Sequence, residues 1–468
     1  MGKTLPFTEK DLSIIENTEL SENLTDLGSC KRFIRQADGN LRFQWEMGKW
    51  LYFNGKFWET DKSGKIASEL AENTIREMYL EAYECEDKKD REQIADYARK
   101  SESEAKIRAM LRLAQPQTAI NLDELDPDGW LLNVENGTID LRTGDLLPHN
   151  REHLISKIAP VYYVPDAKCP NWIEFLKMIM DGDDDMLTFL QRAIGYTLTG
   201  HTDERCLFIL HGEGRNGKST FTENLAYLMG DYASKTQAES LLLKKFGDGI
   251  PSDIARLKGA RFVFASETAQ GRRLNEARVK ELTGDRDTIT ARFLHREWFE
   301  FIPNFKLWLH TNHRPTIRGA ENAIWDRVRL IPFEVRIPDK KVLPRREVDE
   351  ILEAERNGIL TWAVKGCLDW QENGLPNPDK VTKANQEYRE ESDLIKDFLD
   401  EVCMIEPSAE VAKNDLFEAY LEWSKASGEK FFLNKTKFGA AMLQKGFDEY
   451  RETTGKRKSF WIGLKLNG

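Results

Sequence analysis

A glycine-rich loop between an apolar run and a helical segment is the feature that most constrains the fold of this 468-residue chain. The run CLFIL, residues 206–210, leads directly into HGEGRNGKST, residues 211–220, and the residues that follow favour a helix up to Met229. A buried strand, a glycine turn and a helix in this order begin an α/β sheet. We therefore predict an α/β fold with a functional site at this turn.

The loop from Gly212 to Ser219 matches the phosphate-binding loop of nucleoside triphosphatases. In that motif backbone N–H groups and the helix N-terminus hold the phosphates, the lysine reaches the terminal phosphates and the serine binds magnesium. The glycines also fit a dinucleotide-binding fingerprint, but the Lys-Ser pair decides for a nucleoside triphosphate. ATP and Mg²⁺ are the predicted ligands. The predicted nucleotide-binding residues are Gly212, Glu213, Gly214, Arg215, Asn216, Gly217, Lys218, Ser219 and Thr220.

Two later strands end in polar residues that suit hydrolysis. The run RFVFASE ends at Glu267, whose carboxylate suits a general base for the attacking water. The run FKLWLH is followed by Asn312, which is placed to hydrogen-bond the water or the γ-phosphate. Each pattern is weak alone, because many buried strands end in Glu and Asn is common in turns. Their position after a phosphate-binding loop favours the functional interpretation.

Composition excludes several classes of protein. No apolar run reaches the roughly 18 residues of a membrane helix, and the amino terminus lacks the pattern of a signal peptide. The six cysteines form no CxxC pair, which argues against a disulfide framework or a zinc module. The net charge of −11 gives no global attraction to nucleic acid. We expect a cytoplasmic protein that binds no membrane; the family resemblance described next implies a bacterial host.

Four segments together resemble the superfamily 3 helicases of the phage/plasmid primase family, which includes satellite-phage primase-helicases and poxvirus relatives. They are GEGRNGKST, LKGARFVFASE, VKELTGDRDTITARFLHREWFEFIPNFKLWLHTNHRP and AIWDRVRLIPF, and the resemblance covers roughly residues 26–468. It implies an AAA+-like P-loop ATPase core. It also implies an ATP-dependent DNA helicase that acts on single-stranded and forked DNA during replication of a phage, prophage or plasmid-like element.

The resemblance also implies roles for single residues. Lys218 and Ser219 correspond to Walker A, Glu267 to Walker B and Asn312 to sensor 1. The family usually has two acids at Walker B, and Ser266 occupies the first place here. The metal contacts are therefore expected from Ser219 and Glu267, together with water.

A further segment, WDRVR, looks like the arginine-finger segment of the family. We favour Arg327 over Arg329 as the finger. Because such an arginine completes the site of a neighbouring subunit, we expect a homo-oligomeric ring, by resemblance a hexamer.

DNA contacts are expected from two hairpins. In the family, a hairpin after Lys280 and Asp285, here from about Thr288 to Phe301 with its tip at His295-Arg296, grips the DNA backbone inside the ring. The alternative is an exposed charged hairpin. Residues 429–468 hold nine Lys or Arg against four Asp or Glu, and their hairpin could touch duplex DNA or dock a protein. The predicted DNA-binding residues are Lys280, Arg292, His295, Arg296, Lys456, Arg457 and Lys458.

We predict six parts along the chain. They are an acidic, poorly ordered leader (1–30), an N-terminal α+β region (31–170), a helical segment (171–200), the ATPase core (201–338), a helical segment with a linker (339–390) and a winged-helix domain (391–468). A small meander of strands is expected from Lys31. The acidic run at residues 181–185 is interpreted as a helix cap rather than a metal site. Too few residues precede the helicase region for a primase domain, so we expect a separate primase or polymerase as partner.

Two other functions remain open at this point. An initiator or loader would use ATP as an assembly switch without processive unwinding, and the same motifs would serve it. A small-molecule kinase is disfavoured by the hairpin segment and the basic C-terminal module.

Overall fold

The computed structural model describes residues 23–243, 252–267, 272–284, 287–292, 298–317, 322–392, 394–427, 432–451 and 459–467. The chain divides into two compact units. Among the described residues, those within 23–139, 146–158 and 298–299 form the first unit, and those within 140–145, 159–292 and 300–467 form the second.

Helices and a mixed sheet form the first unit. The helices are α1 Asp26–Ala37, α2 Lys65–Glu84, α3 Lys88–Ser101 and α4 Glu104–Ala114. The strands are β1 Leu41–Gln44, β2 Lys49–Phe53, β3 Trp58–Thr60 and β4 Ala119–Ile120, in the order β3-β2-β1-β4. Their core contains the buried side chains of Phe33, Trp50 and Met78. A three-stranded sheet follows, formed by β5 Leu131–Val134, β6 Gly137–Asp140 and β7 Asp145–Leu147.

Helix α1 corrects the expected start of the folded region. We predicted a poorly ordered leader to residue 30 and strands from Lys31. Instead the Thr25 hydroxyl accepts a hydrogen bond from the Gly28 N–H and caps a helix that runs to Ala37. Phe33 on this helix is fully buried. The apolar residues of this segment therefore follow a helical spacing, and the strands begin only at Leu41.

A parallel sheet forms the centre of the second unit. The strands in this region are β8 Leu207–His211, β9 Ala233–Lys235, β10 Phe262–Glu267, β11 Ile289–Arg292, β12 Trp298–Phe301, β13 Lys306–Thr311 and β14 Val328–Pro332. The sheet has the order β14-β8-β13-β10-β9, and β11 pairs with β12. Residues 207–210 of β8 are all fully buried, as expected for a parallel strand covered on both faces.

Helices surround this sheet. They are α5 Pro170–Ile179, α6 Asp184–Leu198, α7 Lys218–Met229, α8 Ser252–Ala255, α9 Glu276–Leu282, α10 Asn322–Trp325, α11 Arg345–Ala354, α12 Arg356–Asn373 and α13 Asp379–Glu391. Asp183 accepts a hydrogen bond from the Met186 N–H at the start of α6, which agrees with the predicted cap. Trp308 of β13 stacks on Phe208 of β8, with ring centroids 4.2 Å apart, and also contacts Phe221 of α7. This aromatic cluster fixes α7 against the sheet.

The C-terminal module has its own core. It comprises α14 Leu394–Val402, β15 Cys403–Ala412, α15 Lys413–Ala426, α16 Lys435–Gln444, β16 Glu449–Arg451 and β17 Ser459–Leu466. The strands pair in the order β15-β17-β16 over the buried side chains of Phe398, Tyr420 and Trp461. The expected wing residues Lys456, Arg457 and Lys458 lie outside the described residues. The winged-helix assignment remains a prediction.

The predicted α/β class is confirmed as a mixed α/β fold with a parallel sheet and helices. The AAA+-like assignment of the sheet and the six-part division stay predictions. No helix within the described ranges is long and apolar enough to cross a membrane.

The crossing of α6 and α12 generates a stability prediction. A Cβ atom on Gly366 would lie 2.2 Å from the Gln191 carbonyl oxygen, and one on Gly195 would lie 2.1 Å from the Cys367 nitrogen. Gly366→Ala should therefore lower the free energy of unfolding by about 1–3 kcal/mol, because the two backbones must separate. Urea denaturation followed by tryptophan fluorescence measures the change.

A helical glycine with open surroundings provides the control for Gly366→Ala. A Cβ atom on Gly439 of α16 would lie 4.0 Å from Cζ2 of the Trp461 ring, which is ordinary van der Waals contact. Gly439→Ala should be neutral or stabilise the helix by about 0.5–1 kcal/mol. Equal stability of the two variants would contradict tight packing at the crossing.

Candidate functional site

Strand register brings the ends of four strands into one row. Glu267 of β10 lies beside Thr311 of β13, and Thr311 lies beside His211 of β8. Pro332 of β14 lies on the other side of His211. Because neighbouring strands are about 4.8 Å apart, the backbones of Glu267 and His211 are about 10 Å apart. In open α/β sheets ligands bind outside the carboxyl ends of the strands, where the strand order reverses.

The row gathers three of the predicted features. The phosphate loop leaves the sheet directly after His211, and β10 ends at the predicted general base, Glu267. Asn312 follows Thr311 and is half-buried at the same edge. Residues that are far apart in the sequence therefore lie at the same edge of the sheet as the loop. Their roles in hydrolysis stay predictions.

The conformation of the phosphate loop is fixed by a glycine and by hydrogen bonds to the segment after β14. Gly217 has a φ of +87°, and a Cβ atom there would lie 2.8 Å from Ile179 Cγ2, so only glycine fits. The buried Asn216 side chain donates to the Phe333 carbonyl oxygen at 2.8 Å. The Ile337 N–H donates to the Arg215 carbonyl oxygen at 2.9 Å. The segment after β14 therefore braces the loop.

Lys218 points its ammonium group back into the loop. Its Nζ donates to the Gly212 carbonyl oxygen, to Asn216 Oδ1 at 3.1 Å and to the Glu213 carbonyl oxygen at 3.4 Å. The residue is only 2% exposed, and burial lowers the pKa of its ammonium group to about 8. All three partners are uncharged oxygens. An anion in the loop would therefore be a stronger partner than the present ones.

Helix α7 begins at Lys218 with Gly217 as its N-cap, and no side chain caps it. Ser219 and Thr220 form the first turn, and Ser219 is exposed. Backbone N–H groups at a helix N-terminus favour negative charge. The start of α7 is thus suited to hold phosphate oxygens, as the motif predicts.

Two histidines at the strand ends are kept neutral. The pKa values of His211 and His310 are lowered to about 4, mainly by burial and in part by the nearby positive charge of Lys218. For His211 the positive charge of Arg314 contributes as well. Neither imidazole therefore contributes a positive charge at pH 7. The sequence analysis did not identify either histidine, because each reads as the last residue of an apolar strand.

The loop also borders a cavity of about 750 Å³ that sequence reasoning missed. The segment after β14 and the N-terminal half of α13 line its other side. Its cationic side chains are Arg215, Arg314, Arg336, Lys380 and Lys383, against the carboxylates of Glu213, Glu334 and Glu387. The excess of cations suits a polyanion. Glu213 and Arg215 belong to the predicted loop, and Arg314 follows the predicted Asn312 by two residues in the motif TNHRP. The charged side chains after β14 and on α13 had no sequence signal.

Arg327 and Arg329 both bind neutral oxygens of their own chain. Arg327 donates to the Ala323 carbonyl oxygen at 2.6 Å and to the Thr283 hydroxyl at 3.2 Å. Arg329 donates to the carbonyl oxygens of Asp326 and Val328. The arginine-finger assignment stays a prediction.

The predicted DNA-binding residues are only partly described. Lys280 lies on α9 and Arg292 ends β11, and both are half-buried. Asp285, His295 and Arg296 lie outside the described residues.

Three family models match successive parts of the chain. They are D5 N terminal like over residues 30–181, a family of unknown function (DUF5906) over residues 210–327, and Poxvirus D5 protein-like over residues 390–462. A protein named as a helicase in Acanthamoeba polyphaga mimivirus is 29% identical over 328 residues, 65% of this chain. A protein named as a primase in African swine fever virus is 26% identical over 336 residues, also 65% of this chain. Together these matches support a D5-like primase-helicase family for this chain. They agree with the family that the sequence analysis predicted.

The similarity covers only part of those relatives. The match accounts for 34% of the length of each of the two viral proteins, so the D5-like chain spans about a third of the relatives it matches. The A form apo structure of the NrS-1 C terminal region covers 93% of this chain and 99% of that chain, with a TM-score of 0.47 and 10% identity. A structural similarity of that size carries no argument about function.

The buried ammonium group of Lys218 generates a prediction about stability and pH. The pKa of a lysine is 10.5 in the unfolded chain and about 8 for Lys218 in the folded D5-like chain. Between these values the unfolded state binds more protons at this position, so the free energy of unfolding rises with pH. In Lys218→Met the free energy of unfolding should not show this increase with pH. Urea denaturation at pH 7.5 and 9.5 should show that the stability of the variant relative to wild type falls as the pH increases.

Lys88→Met removes an exposed lysine of α3 and serves as the control, with a pH dependence that follows wild type. If Lys218→Met also follows wild type at both pH values, the ammonium group is not desolvated in the folded chain.

Proposed function

We propose that this D5-like chain is an ATP hydrolase that moves along single-stranded DNA as a ring and unwinds duplex DNA. The observation that carries the proposal is the row of strand ends at which the phosphate loop, Glu267 and Asn312 meet. Viral relatives named as helicase or primase support a role in the replication of a phage, prophage or plasmid-like element. In this proposal residues 201–338 form an AAA+-like core and residues 391–468 a winged-helix domain.

Nucleotide binding follows from the chemistry of the loop. The phosphates lie in the loop against the N–H groups of the first turn of α7. Lys218 exchanges the oxygens of Gly212 and Asn216 for the terminal phosphates, since a charged acceptor forms a stronger hydrogen bond than a carbonyl. With a pKa of about 8, most of the Lys218 ammonium is charged at pH 7.

Hydrolysis uses the other two strand ends. Glu267 accepts a proton from the attacking water, and Asn312 orients the water or the γ-phosphate. The separation of about 10 Å between the backbones of β8 and β10 leaves room for the phosphate and the water between loop and carboxylate. The neutral His211 and His310 leave Lys218 as the positive charge at the base of the loop.

In this proposal the protein ligands of Mg²⁺ are the hydroxyl oxygen of Ser219 and the carboxylate of Glu267. Both are oxygen donors, which Mg²⁺ prefers. The Ser219 residue is exposed on the first turn of α7. Mg²⁺ usually keeps several waters and binds through one or two protein groups and the substrate phosphates, so it needs no all-protein cage. When bound, the ion neutralises charge on the β- and γ-phosphates.

Ring formation completes the site in this proposal. Arg327 reaches the phosphates of the neighbouring subunit and stabilises the charge that develops there. Its present partners, the Ala323 carbonyl and the Thr283 hydroxyl, are neutral, which supports exchange for an anion. DNA is held by Lys280 of α9, by the hairpin segment with Arg292, His295 and Arg296, and by residues 456–458 of the C-terminal module.

An ATP-switched initiator or loader is the second candidate function. It would use the same phosphate loop and the same ring. It differs in coupling, because its hydrolysis is slow or indifferent to DNA and it separates no strands processively.

The motor proposal predicts that binding and coupling can be separated by mutation. Single-stranded DNA should stimulate hydrolysis by the wild type, and Lys218→Ala should lower hydrolysis by about a hundredfold or more, since it removes charge stabilisation at the phosphates. The double variant His295→Ala/Arg296→Ala should still hydrolyse ATP but fail to unwind a forked duplex. Steady-state phosphate release and a fluorescent strand-separation assay measure the two activities.

The control for the hairpin variant is Lys88→Ala/Lys89→Ala, which removes two exposed positive charges from α3. It should leave both activities within about twofold of wild type. Hydrolysis that is indifferent to DNA, without strand separation in the wild type, would favour the initiator.

The arginine finger predicts complementation between two inactive variants. Lys218→Ala and Arg327→Ala should each hydrolyse little ATP alone. In a mixed ring an Arg327→Ala subunit keeps its own phosphate loop and receives Arg327 from a Lys218→Ala neighbour, so hydrolysis should recover partly. Titration of one variant against the other, followed by phosphate release, measures the recovery. If hydrolysis does not recover although both variants assemble and are folded by circular dichroism, Arg327 does not act in the site of the neighbouring subunit.

A further inference from the structure

Arg314 connects the phosphate-loop cavity to the end of helix α13. It lies three residues beyond Thr311, on the loop that leaves β13 at the row of strand ends. Its side chain lines the same cavity as Gly212 and Asn216 of the phosphate loop. Its Nη1 donates to Glu391 Oε2 at 2.8 Å, and Glu391 is the last residue of α13.

We propose that Arg314 binds the terminal phosphates of a nucleotide in its own subunit and thereby releases Glu391, so that the nucleotide state reaches the junction between α13 and the C-terminal module. This inference rests on the proposed ATP site. Its content is a nucleotide-sensing residue within the subunit, distinct from the proposed arginine finger, which acts in the neighbouring subunit.

The guanidinium group has a donor without a hydrogen-bond partner among the described residues. The Arg314 side chain is 20% exposed, and this donor, Nε, is buried. The group also lies over the Tyr388 ring, 5.9 Å from the centroid. Its charge adds to the burial that lowers the pKa of His211, the residue that precedes the loop. The positive charge of Arg314 therefore acts where phosphates would lie.

The bond to Glu391 is weak enough to be exchanged. The Glu391 side chain is 62% exposed, and ion pairs with an exposed partner are screened by water and contribute little to stability. A terminal phosphate offers more charge and accepts two parallel hydrogen bonds from one guanidinium group. ADP lacks that phosphate. The exchange should therefore depend on ATP specifically.

Helix α13 is attached to its surroundings along its length up to Tyr388. Asn385 donates to the Val328 carbonyl oxygen at 3.0 Å and accepts from the Leu330 N–H at 2.9 Å, which attaches α13 to β14. The buried Tyr388 hydroxyl donates to the Pro315 carbonyl oxygen, next to Arg314. Loss of the Arg314–Glu391 bond therefore loosens only the last turn of α13. Helix α14 of the C-terminal module begins at Leu394, three residues after Glu391.

Nucleotide affinities test the first half of the proposal. Isothermal titration calorimetry with a slowly hydrolysed ATP analogue and with ADP should show that Arg314→Gln weakens the ATP analogue about tenfold and ADP by less than twofold. Arg314→Lys, which keeps the charge, should recover part of the loss. Glu391→Gln should tighten the ATP analogue up to about threefold, because Arg314 no longer has a competing partner. The matched controls are Arg346→Gln and Glu350→Gln, an exposed pair on α11 that should change neither affinity.

Hydrogen exchange tests the second half. In the wild type the ATP analogue, but not ADP, should increase amide exchange in peptides that cover residues 388–402, and Arg314→Gln should abolish the increase. Equal loss of ATP and ADP affinity in Arg314→Gln would overturn the inference, because a purely structural role affects both ligands. Wild-type affinity in Arg314→Gln would overturn it as well and leave the ATP site intact. A wild-type chain that binds no ATP overturns the proposed function and this inference with it.

Discussion

The hydrogen-bonded register of β10, β13 and β8 is the constraint on which the candidate site depends. It aligns Glu267, Thr311 and His211 in one row, and a slip of one residue would turn every side chain of a strand to the opposite face. Apolar packing specifies this register, since Trp308 in β13 stacks on Phe208 in β8. The precision of the site therefore comes from the hydrophobic layer beneath it.

The phosphate loop adds polar groups to this apolar frame at a cost in stability. Asn216 and Lys218 are nearly fully buried, and buried polar groups are tolerated only when they are hydrogen-bonded. Asn216 bonds the Phe333 carbonyl, and Lys218 bonds loop oxygens that a phosphate can replace. The loop is thus held by the protein's own hydrogen bonds, and those of Lys218 can be exchanged for bonds to a phosphate. Preorganisation of this kind reduces the ordering that accompanies binding.

Local sequence signals located the loop, the strand that ends at Glu267 and the strand before Asn312, because each is carried by neighbouring residues. The strand register that aligns these elements is a tertiary property, and local sequence signals do not specify it. The first segment was misassigned, since alternation around Lys31 outweighed the cap at Thr25 that begins a helix. Glu391 gave no signal at all, because its partner lies 77 positions away on another element. Contacts of that range depend on packing, which no local pattern encodes.

The positive charge of the cavity beside the phosphate loop also depends on the fold rather than on local sequence. The chain carries a net charge of −11, so its overall field repels both ATP and DNA. The cavity beside the phosphate loop nevertheless has five cationic against three acidic side chains, drawn from the loop, from the strand ends and from α13. No short segment of the sequence contains that excess. It arises because the fold places Arg314, Arg336 and the lysines of α13 around one cavity. Salt screens charges beyond about 8–10 Å, so the acidic groups on distant parts of the surface have little effect in the cavity. Recognition of a polyanion by an acidic protein is thus a consequence of topology rather than of composition.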